Sequence, residues 1–245
     1  MNPNPELASA LAQTRVWAPI QPHPKQIRAL VADTDRLLYG GAAGGGKSAA
    51  LLLAGLQHVH DPRHAALLVR NELTDMRLSG GLIALSHEWA DRMRWRDQGV
   101  RWVTQDSTWV WPNGARLTFG YAAGGAYRRY LGSDWSMIGV DEAVELPEEA
   151  IRELWSRLRR NVPFNRRLLL ASNPGGRSHQ FLVDKFVTPG HLLSSFAHDN
   201  PGLDADEYLK LLADSQTSNR YAQLALGSWE ATSDPDAYWH TDVYR

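Results

Sequence analysis

From Leu37 to Ala54 the chain reads Leu-Leu-Tyr-Gly-Gly-Ala-Ala-Gly-Gly-Gly-Lys-Ser, then Ala-Ala-Leu-Leu-Leu-Ala. No other stretch restricts the fold as much. It satisfies the pattern G-x-x-x-x-G-K-[ST], with Gly41, Gly46, Lys47 and Ser48 at the fixed positions. The apolar run Leu37 to Tyr39 reads as a buried strand, and the Ala/Leu-rich run after Ser48 reads as a helix. Glycines let the backbone curl its N–H groups around an anion, and the helix N-terminus adds partial positive charge. The candidate nucleotide-binding residues are therefore Gly41, Ala42, Ala43, Gly44, Gly45, Gly46, Lys47, Ser48 and Ala49. Lys47 is expected to reach the β- and γ-phosphates, and the Ser48 hydroxyl to sit on Mg²⁺. A glycine-rich turn that merely joins a strand to a helix is the alternative.

Such a loop needs an acidic partner at the end of a neighbouring apolar strand. Met137-Ile138-Gly139-Val140-Asp141-Glu142 supplies one. Asp141 is the expected metal-side carboxylate, and Glu142 the general base that polarises an attacking water. The adjacent Asp-Glu pair favours hydrolysis over transfer to another substrate, and the extra core strand between the two motifs (Ala65 to Val69) fits the same subclass. Ser172 and Asn173, at the end of a further strand, are placed to sense the γ-phosphate, although Ser-Asn-Pro-Gly is also a turn-forming run. Gln26 lies upstream of the loop, where an amide can read adenine through paired bonds; a solvated glutamine is the alternative. Arg70, the Arg128-Arg129 pair and the group Arg157, Arg159, Arg160, Arg166 and Arg167 are candidates for stabilising transition-state charge, against a reading as solvated or helix-end charges. Arg92, Arg94, Arg96 and Arg101, interleaved with Trp95 and Trp102, allow a nucleic-acid contact but read better as a surface helix end.

Composition narrows the field by exclusion. The chain has 245 residues, enough for one large α/β domain with a small appendage, and its 43% hydrophobic content is that of a globular protein. A net charge of −1 gives no global basic footprint for nucleic acid, though a local patch fits within that total. With no cysteine, disulfides, thiolate metal sites and thiol catalysis are out. His58, His60 and His64 lack acids at ligand spacing and read as solvated histidines rather than a metal site. Most of the ten tryptophans read as packing residues. No leader is visible at the N-terminus and no apolar run is long enough to span a membrane, so a soluble intracellular protein is expected.

Along the chain, residues 1–18 read as irregular or weakly helical, and Pro24 opens a helix. Asn71 to Met93 reads as helical with a break at Gly80-Gly81. Val100 to Val103, Ser107 to Trp111 and Arg116 to Tyr121 read as strands around an Asn-Gly turn, a hairpin inserted between the α/β units. Gly120 to Gly132 reads as a mobile loop, Pro147 to Arg160 and Gln180 to Val187 as helices, and His191 to Phe196 as a strand. The division expected is an ATPase core at 1–199, a helical lid at 200–229 and a linker at 230–245.

These residues carry a resemblance. The chain resembles the N-terminal ATPase domain of the large terminase subunit of tailed bacteriophages over about residues 20 to 230. Pro24-Lys25-Gln26 resembles that family's adenine-side glutamine motif, and Leu68-Val69-Arg70-Asn71 its segment after the second strand. Arg129-Tyr130-Leu131-Gly132 before the Asp-Glu pair, Ser172-Asn173-Pro174-Gly175-Gly176, Asp199-Asn200-Pro201 and Leu226-Gly227-Ser228-Trp229 are similar to its further motifs in the same order. The resemblance implies an α/β fold of the phosphate-loop NTPase class (ASCE type). That fold is a three-layer sandwich with a mainly parallel central sheet, an inserted β-hairpin and a small C-terminal helical lid. It implies ATP and Mg²⁺ as cofactors, and hydrolysis that drives double-stranded DNA into a procapsid in the host cytoplasm. The implied partners are a portal protein, a small terminase subunit and further copies of the chain in a pentameric ring. It also implies an arginine finger, often from a neighbouring subunit, for which Arg129 is the first choice and Arg128 the second. The family's nuclease region has no counterpart before Arg245, so no endonuclease activity is expected. An isolated domain is expected to be monomeric and slow. The rival readings are a helicase-like ATPase, a phosphotransferase, and a nucleotide-binding assembly module without turnover.

Overall fold

The computed structural model describes residues 5–230; the expected linker beyond Glu230 lies outside them. The strands are β1 Arg36–Gly41, β2 Ala65–Arg70, β3 Arg101–Val103, β4 Thr108–Val110, β5 Arg116–Tyr121, β6 Met137–Asp141, β7 Arg167–Ser172 and β8 Leu192–Ser195. They form one sheet in the order β3-β4-β5-β2-β6-β7-β1-β8. All pairings from β5 to β8 are parallel, and only β3-β4 and β4-β5 are antiparallel. The antiparallel run β3-β4-β5 lies between the α/β units, as expected, and joins the edge of the main sheet. Its last strand lies parallel to β2, with Ala65 opposite Arg116, so it widens the main sheet.

Helices cover both faces: α1 Pro5–Thr14, α2 Pro24–Val31, α3 Lys47–Leu56, α4 Leu73–Arg77, α5 Leu82–Arg92, α6 Glu148–Trp155, α7 His179–Leu182, α8 Ala205–Ser215 and α9 Ser218–Leu224. Strand side chains alternate between two cores, as period-two geometry requires. Leu37, Tyr39, Leu68, Leu169 and Ala171 pack with α2, α3 and α5. Leu38, Leu67, Val69, Ile138, Leu168 and Leu170 pack with α6 and α7. Three layers result, and the carboxyl ends of the parallel strands meet at one edge, where ligands of open α/β sheets bind.

Several expectations change. Residues Ala123–Tyr130 form tight helical turns instead of an open loop, because the Tyr121 N–H donates to the Tyr130 hydroxyl at 3.1 Å and the Tyr127 ring is buried. Helix α6 stops at Trp155, since the Arg157 carbonyl accepts the Trp135 N–H at 2.9 Å. His58 and His64 are not solvated. Burial holds both imidazoles neutral, at pKa values of about 3 and about 4 respectively. His64 bridges the Gly55 carbonyl and the Ser136 hydroxyl, each at 2.9 Å, while His58 stacks flat on Phe164 with centroids 3.8 Å apart. Arg167 is no surface charge either. Its guanidinium is buried and donates to the Ala29 and Leu30 carbonyls, both at 2.7 Å, closing the C-terminus of α2. Trp95 is fully buried in an aromatic cluster with Trp17, Trp109 and Trp111, whereas Trp102 is half-buried and Arg96 lies over the Trp109 ring, 5.4 Å from its centroid. Among the described residues no helix is long and apolar enough to cross a membrane.

Candidate active site

The phosphate loop joins β1 to α3. Gly41, Gly44 and Gly46 have φ values of 117°, 79° and 71°, in the region that favours glycine, and the last of these forms the N-cap of α3. The loop's carbonyls are tied outward. The Tyr39 hydroxyl donates to Ser195 Oγ at 3.1 Å, and Ser195 Oγ donates to the Gly45 carbonyl at 2.9 Å. Asn200 Nδ2 donates to the Gly44 carbonyl and Gln26 Nε2 to the Gly46 carbonyl, both at 2.8 Å. Pinning the carbonyls away leaves N–H groups to face an anion, and the first-turn amides of α3, Lys47 to Ala49, are those that a helix leaves without an intrahelical acceptor. The amides of Ala42 and Ala43 are already engaged, by the Ser195 carbonyl at 2.8 Å and the Leu224 carbonyl of α9 at 2.6 Å.

Lys47 is buried. Its ammonium donates to the Ala42 carbonyl at 2.6 Å and to Asn173 Oδ1 at 2.8 Å. Burial pushes its pKa down, and the nearby Glu142 and Asp141 carboxylates pull it back up. Ser48 Oγ donates to Asp141 Oδ1 at 3.4 Å, and Arg70 Nη1 lies 3.4 Å from Asp141 Oδ2. Burial, then the neighbouring Glu142, raises the Asp141 pKa to about 6, against the pull of Arg70, Lys47 and Ser48. A hydroxyl and a carboxylate are hard oxygen donors, and they suit Mg²⁺, which takes one or two protein ligands and completes its shell with phosphate and water. Among the described residues no cluster of three His, Asp or Glu side chains could hold a metal without such help.

Glu142 is half-buried, with φ 47° and ψ 52°. A left-handed conformation at a residue that is not glycine costs energy and tends to persist where a site needs it. The next residues are held by β7: the Val144 N–H donates to Ser172 Oγ at 3.2 Å, and Ser172 Oγ donates to the Asn173 carbonyl at 3.0 Å. Ser172 therefore touches the segment carrying Glu142, and Asn173 touches Lys47.

Other candidates sit farther out. Gln26 is buried, with Nε2 on the loop and Oε1 accepting the His23 N–H at 3.0 Å, so both ends of the amide brace the protein. Arg128 is exposed and lies 3.4 Å from Glu149, and Arg129 is exposed over the Tyr121 ring, 4.7 Å from its centroid. Sequence reasoning missed Tyr39, Ser195 and Asn200 as loop braces, since hydroxyls and amides of this kind are common everywhere. It also missed Arg220 of α9, which nothing in the local pattern marks. Arg70 was legible as a candidate charge at the site's end of β2, but its contact with Asp141 was not.

A parallel sheet with a phosphate loop after β1, an Asp-Glu pair at the end of β6 and β7 between the two strands defines a phosphate-loop nucleotide-binding protein. Residues 38–242 match the family model for the N-terminal part of the T4-like-virus type of terminase large subunit, and the chain belongs to that family. A search of curated protein sequences gave no match. Solved structures with the same fold include the large terminase of the thermophilic bacteriophage D6E, at 15% identity and a TM-score of 0.63 over 94% of this chain and 54% of that one. The large terminase of bacteriophage HK97 is 14% identical, with a TM-score of 0.67 over 91% of this chain and 55% of that one. The ATPase domain of the Thermus phage P74-26 large terminase is 13% identical, with a TM-score of 0.61 over 94% of this chain and 99% of that domain. The chain spans about half the length of the first two.

Proposed function

We propose that the chain is an Mg²⁺-dependent ATPase that powers translocation of double-stranded viral DNA into a procapsid. The observation that carries this reading is the convergence of Lys47, Ser48, Asp141 and Glu142 on one loop, with Ser48 and Asp141 in contact across the sheet. Lys47 leaves the Ala42 carbonyl to meet the β- and γ-phosphates, and the amides from Gly44 to Ala49 take the remaining phosphate charge. Ser48 and Asp141 would hold Mg²⁺, which would supply positive charge against the phosphate oxygens. Glu142 accepts a proton from the attacking water, whose oxygen bonds to the γ-phosphorus as the bond to ADP breaks. Ser172 and Asn173 pass the loss of γ-phosphate to the strand ends, and α8 and α9 (in a division of 1–199, 200–229 and 230–245) act as the lid that moves. Contacts from the lid to the Ala43 amide and the Gly44 carbonyl support that coupling.

The family membership supports portal protein, small terminase subunit, double-stranded DNA and a pentameric ring of copies as partners, in the host cytoplasm. Exposure of Arg128 and Arg129 suits them to reach a neighbouring copy as arginine fingers. The test is phosphate release from ATP by the wild type and by Glu142→Gln, with binding of both to ATP measured in parallel. Turnover lost with binding kept is expected; equal rates would sink the reading. Release without an added acceptor also separates hydrolysis from phosphotransfer.

A further inference from the structure

Helix α9 brings a charged group to the turn that follows β7, beside the site. Arg220, in its first turn, is half-buried. Its Nη1 lies 3.0 Å from Gln223 Oε1 and 3.5 Å from the Pro174 carbonyl. Gln223 is itself buried and closes over Gly175: a Cβ built on that glycine, whose φ is 86°, would stand 2.6 Å from Gln223 Oε1. Arg220 and Gln223 therefore grip the turn that follows β7. The same turn reaches the catalytic loop on its other side. Gly176 lies against Val144, with 3.0 Å between a built Cβ and the Val144 Cβ, and Ser172 holds the Val144 N–H. Glu142 stands two residues before Val144, so the turn that Arg220 and Gln223 grip also abuts the segment that carries Glu142. Burial depresses the Arg220 pKa, and Glu142 and Glu145 are the two carboxylates that counter it.

We infer that Arg220 is an intrachain positioning residue for Glu142, a counter-charge carried by the lid that orients the general base and ties its readiness to lid position. The inference rests on the ATPase reading above. A guanidinium in a partly desolvated site attracts a carboxylate more strongly than it would in water. Glu142 is already in a strained backbone conformation. A lid displacement that withdraws Arg220 leaves Glu142 facing Asp141 and Glu145 with less cationic support. Hydrolysis then runs only while the lid sits on the turn after β7.

The experiment compares wild type, Arg220→Gln, Arg220→Lys, Glu142→Gln and the double variant Arg220→Gln/Glu142→Gln. Steady-state turnover is read together with ATP affinity. Arg220→Gln is expected to lower kcat about 10- to 100-fold and leave ATP affinity within about threefold. Arg220→Lys, which keeps the charge, is expected to recover most of that loss. In the Glu142→Gln background, Arg220→Gln is expected to change the residual rate by less than about twofold, because two residues acting as one unit are not additive. Unchanged turnover in Arg220→Gln, with Glu142→Gln inactive, overturns the inference alone. Wild-type turnover in Glu142→Gln overturns the ATPase reading instead. If Arg220→Gln loses ATP binding, Arg220→Met against Arg220→Lys decides: equal rates for the two overturn a role for the charge.

Discussion

Lys47 Nζ donates to Asn173 Oδ1 at 2.8 Å, and this one bond joins the phosphate loop on β1 to the turn after β7. The ammonium has a second acceptor in the Ala42 carbonyl. To meet a triphosphate it must give up at least one of the two, so Asn173 competes with the nucleotide for Lys47 and is released when the nucleotide wins. Removing the amide should therefore tighten binding. A hydrogen bond to a charged group contributes about 1.5 kcal/mol, which corresponds to roughly tenfold in affinity. Asn173→Ala is expected to bind ATP up to about tenfold more tightly and to turn over at least about tenfold more slowly, since the γ-phosphate has lost its reporter. Weaker binding with unchanged turnover, in a titration and a phosphate-release assay, would show Asn173 to be a packing residue only.

Glu142 carries a separate cost. Its φ of 47° is left-handed, and it stands beside Asp141, whose pKa it helps to raise. Glycine relieves both the backbone strain and the carboxylate repulsion, at the cost of extra freedom in the unfolded chain. Glu142→Gly is expected to stabilise the nucleotide-free protein by about 1 kcal/mol in urea denaturation while lowering turnover at least about a hundredfold. A loss of stability would mean that the conformation is not strained. Glu142→Gln, which keeps the backbone problem, serves as the comparison.

Local patterns made part of this architecture legible. Strand β2 could be read to its ends, Ala65 and Arg70, because polar residues bound an uninterrupted apolar run. The break between α4 and α5 was legible at Gly80-Gly81, where φ at Gly80 is 81°. The phosphate loop and the Asp-Glu strand were legible because both motifs are short and local. What escaped was non-local. Nothing near Arg167 in the sequence announces the carbonyls of Ala29 and Leu30, and an arginine beside Arg166 looks like solvent-facing charge. His58 and His64 sit in a polar stretch, yet Phe164 and Ser136 arrive from elsewhere to bury them. Gln26 suits an adenine reader by its spacing from the loop, but its burial and the seating of its two polar ends on Gly46 and His23 are not legible in the local sequence. The inserted hairpin was legible from its Asn-Gly turn, but the pairing of β5 with β2 was not, because it depends on the partner strand and not on the hairpin.

Acid stability should respond to His58. Its pKa in the folded chain is about 3, against an ordinary value of 6.5, so the folded state refuses a proton that the unfolded state accepts. Above pH 6.5 both states are neutral and nothing changes. As pH falls below that, stability is lost at about 1.4 kcal/mol per pH unit for each such histidine. His64 adds the same slope down to about pH 4. Asp141 acts in the opposite sense between about 6 and 3.8, where the folded state takes the proton first. His58→Phe keeps the stack on Phe164 and removes Nε2, which has no hydrogen-bond partner. Denaturation curves from pH 6.5 to pH 4 should show the dependence of stability on pH reduced by about 1.4 kcal/mol per unit relative to wild type. An unchanged slope would mean that His58 is protonated in the folded protein.

Arg167 links stability to the site. Its two bonds close the C-terminus of α2, the helix that places Gln26 on the Gly46 carbonyl. Arg167→Met removes two charge-assisted bonds, each contributing about 1.5–3 kcal/mol, and leaves the Ala29 carbonyl buried without a donor at about 1–3 kcal/mol more. The Leu30 carbonyl keeps Gln57 Nε2 at 3.1 Å. Against this stands the relief of a buried guanidinium whose pKa burial has lowered to about 10, worth about 3 kcal/mol. The loss outweighs the relief, and a net destabilisation of about 2 kcal/mol is expected in urea or guanidinium denaturation. Looser anchoring of α2 should also loosen Gln26 on the phosphate loop, so ATP affinity is expected to fall several-fold while turnover at saturating ATP changes little. Arg167→Lys cannot restore both carbonyl contacts, because an ammonium lacks the planar fork, and it is expected to fall between wild type and Met in stability. A Met variant as stable as wild type would show that the desolvation of Arg167 cancels its two bonds, and α2 would then owe its position to apolar packing of Ala29 and Leu30 alone.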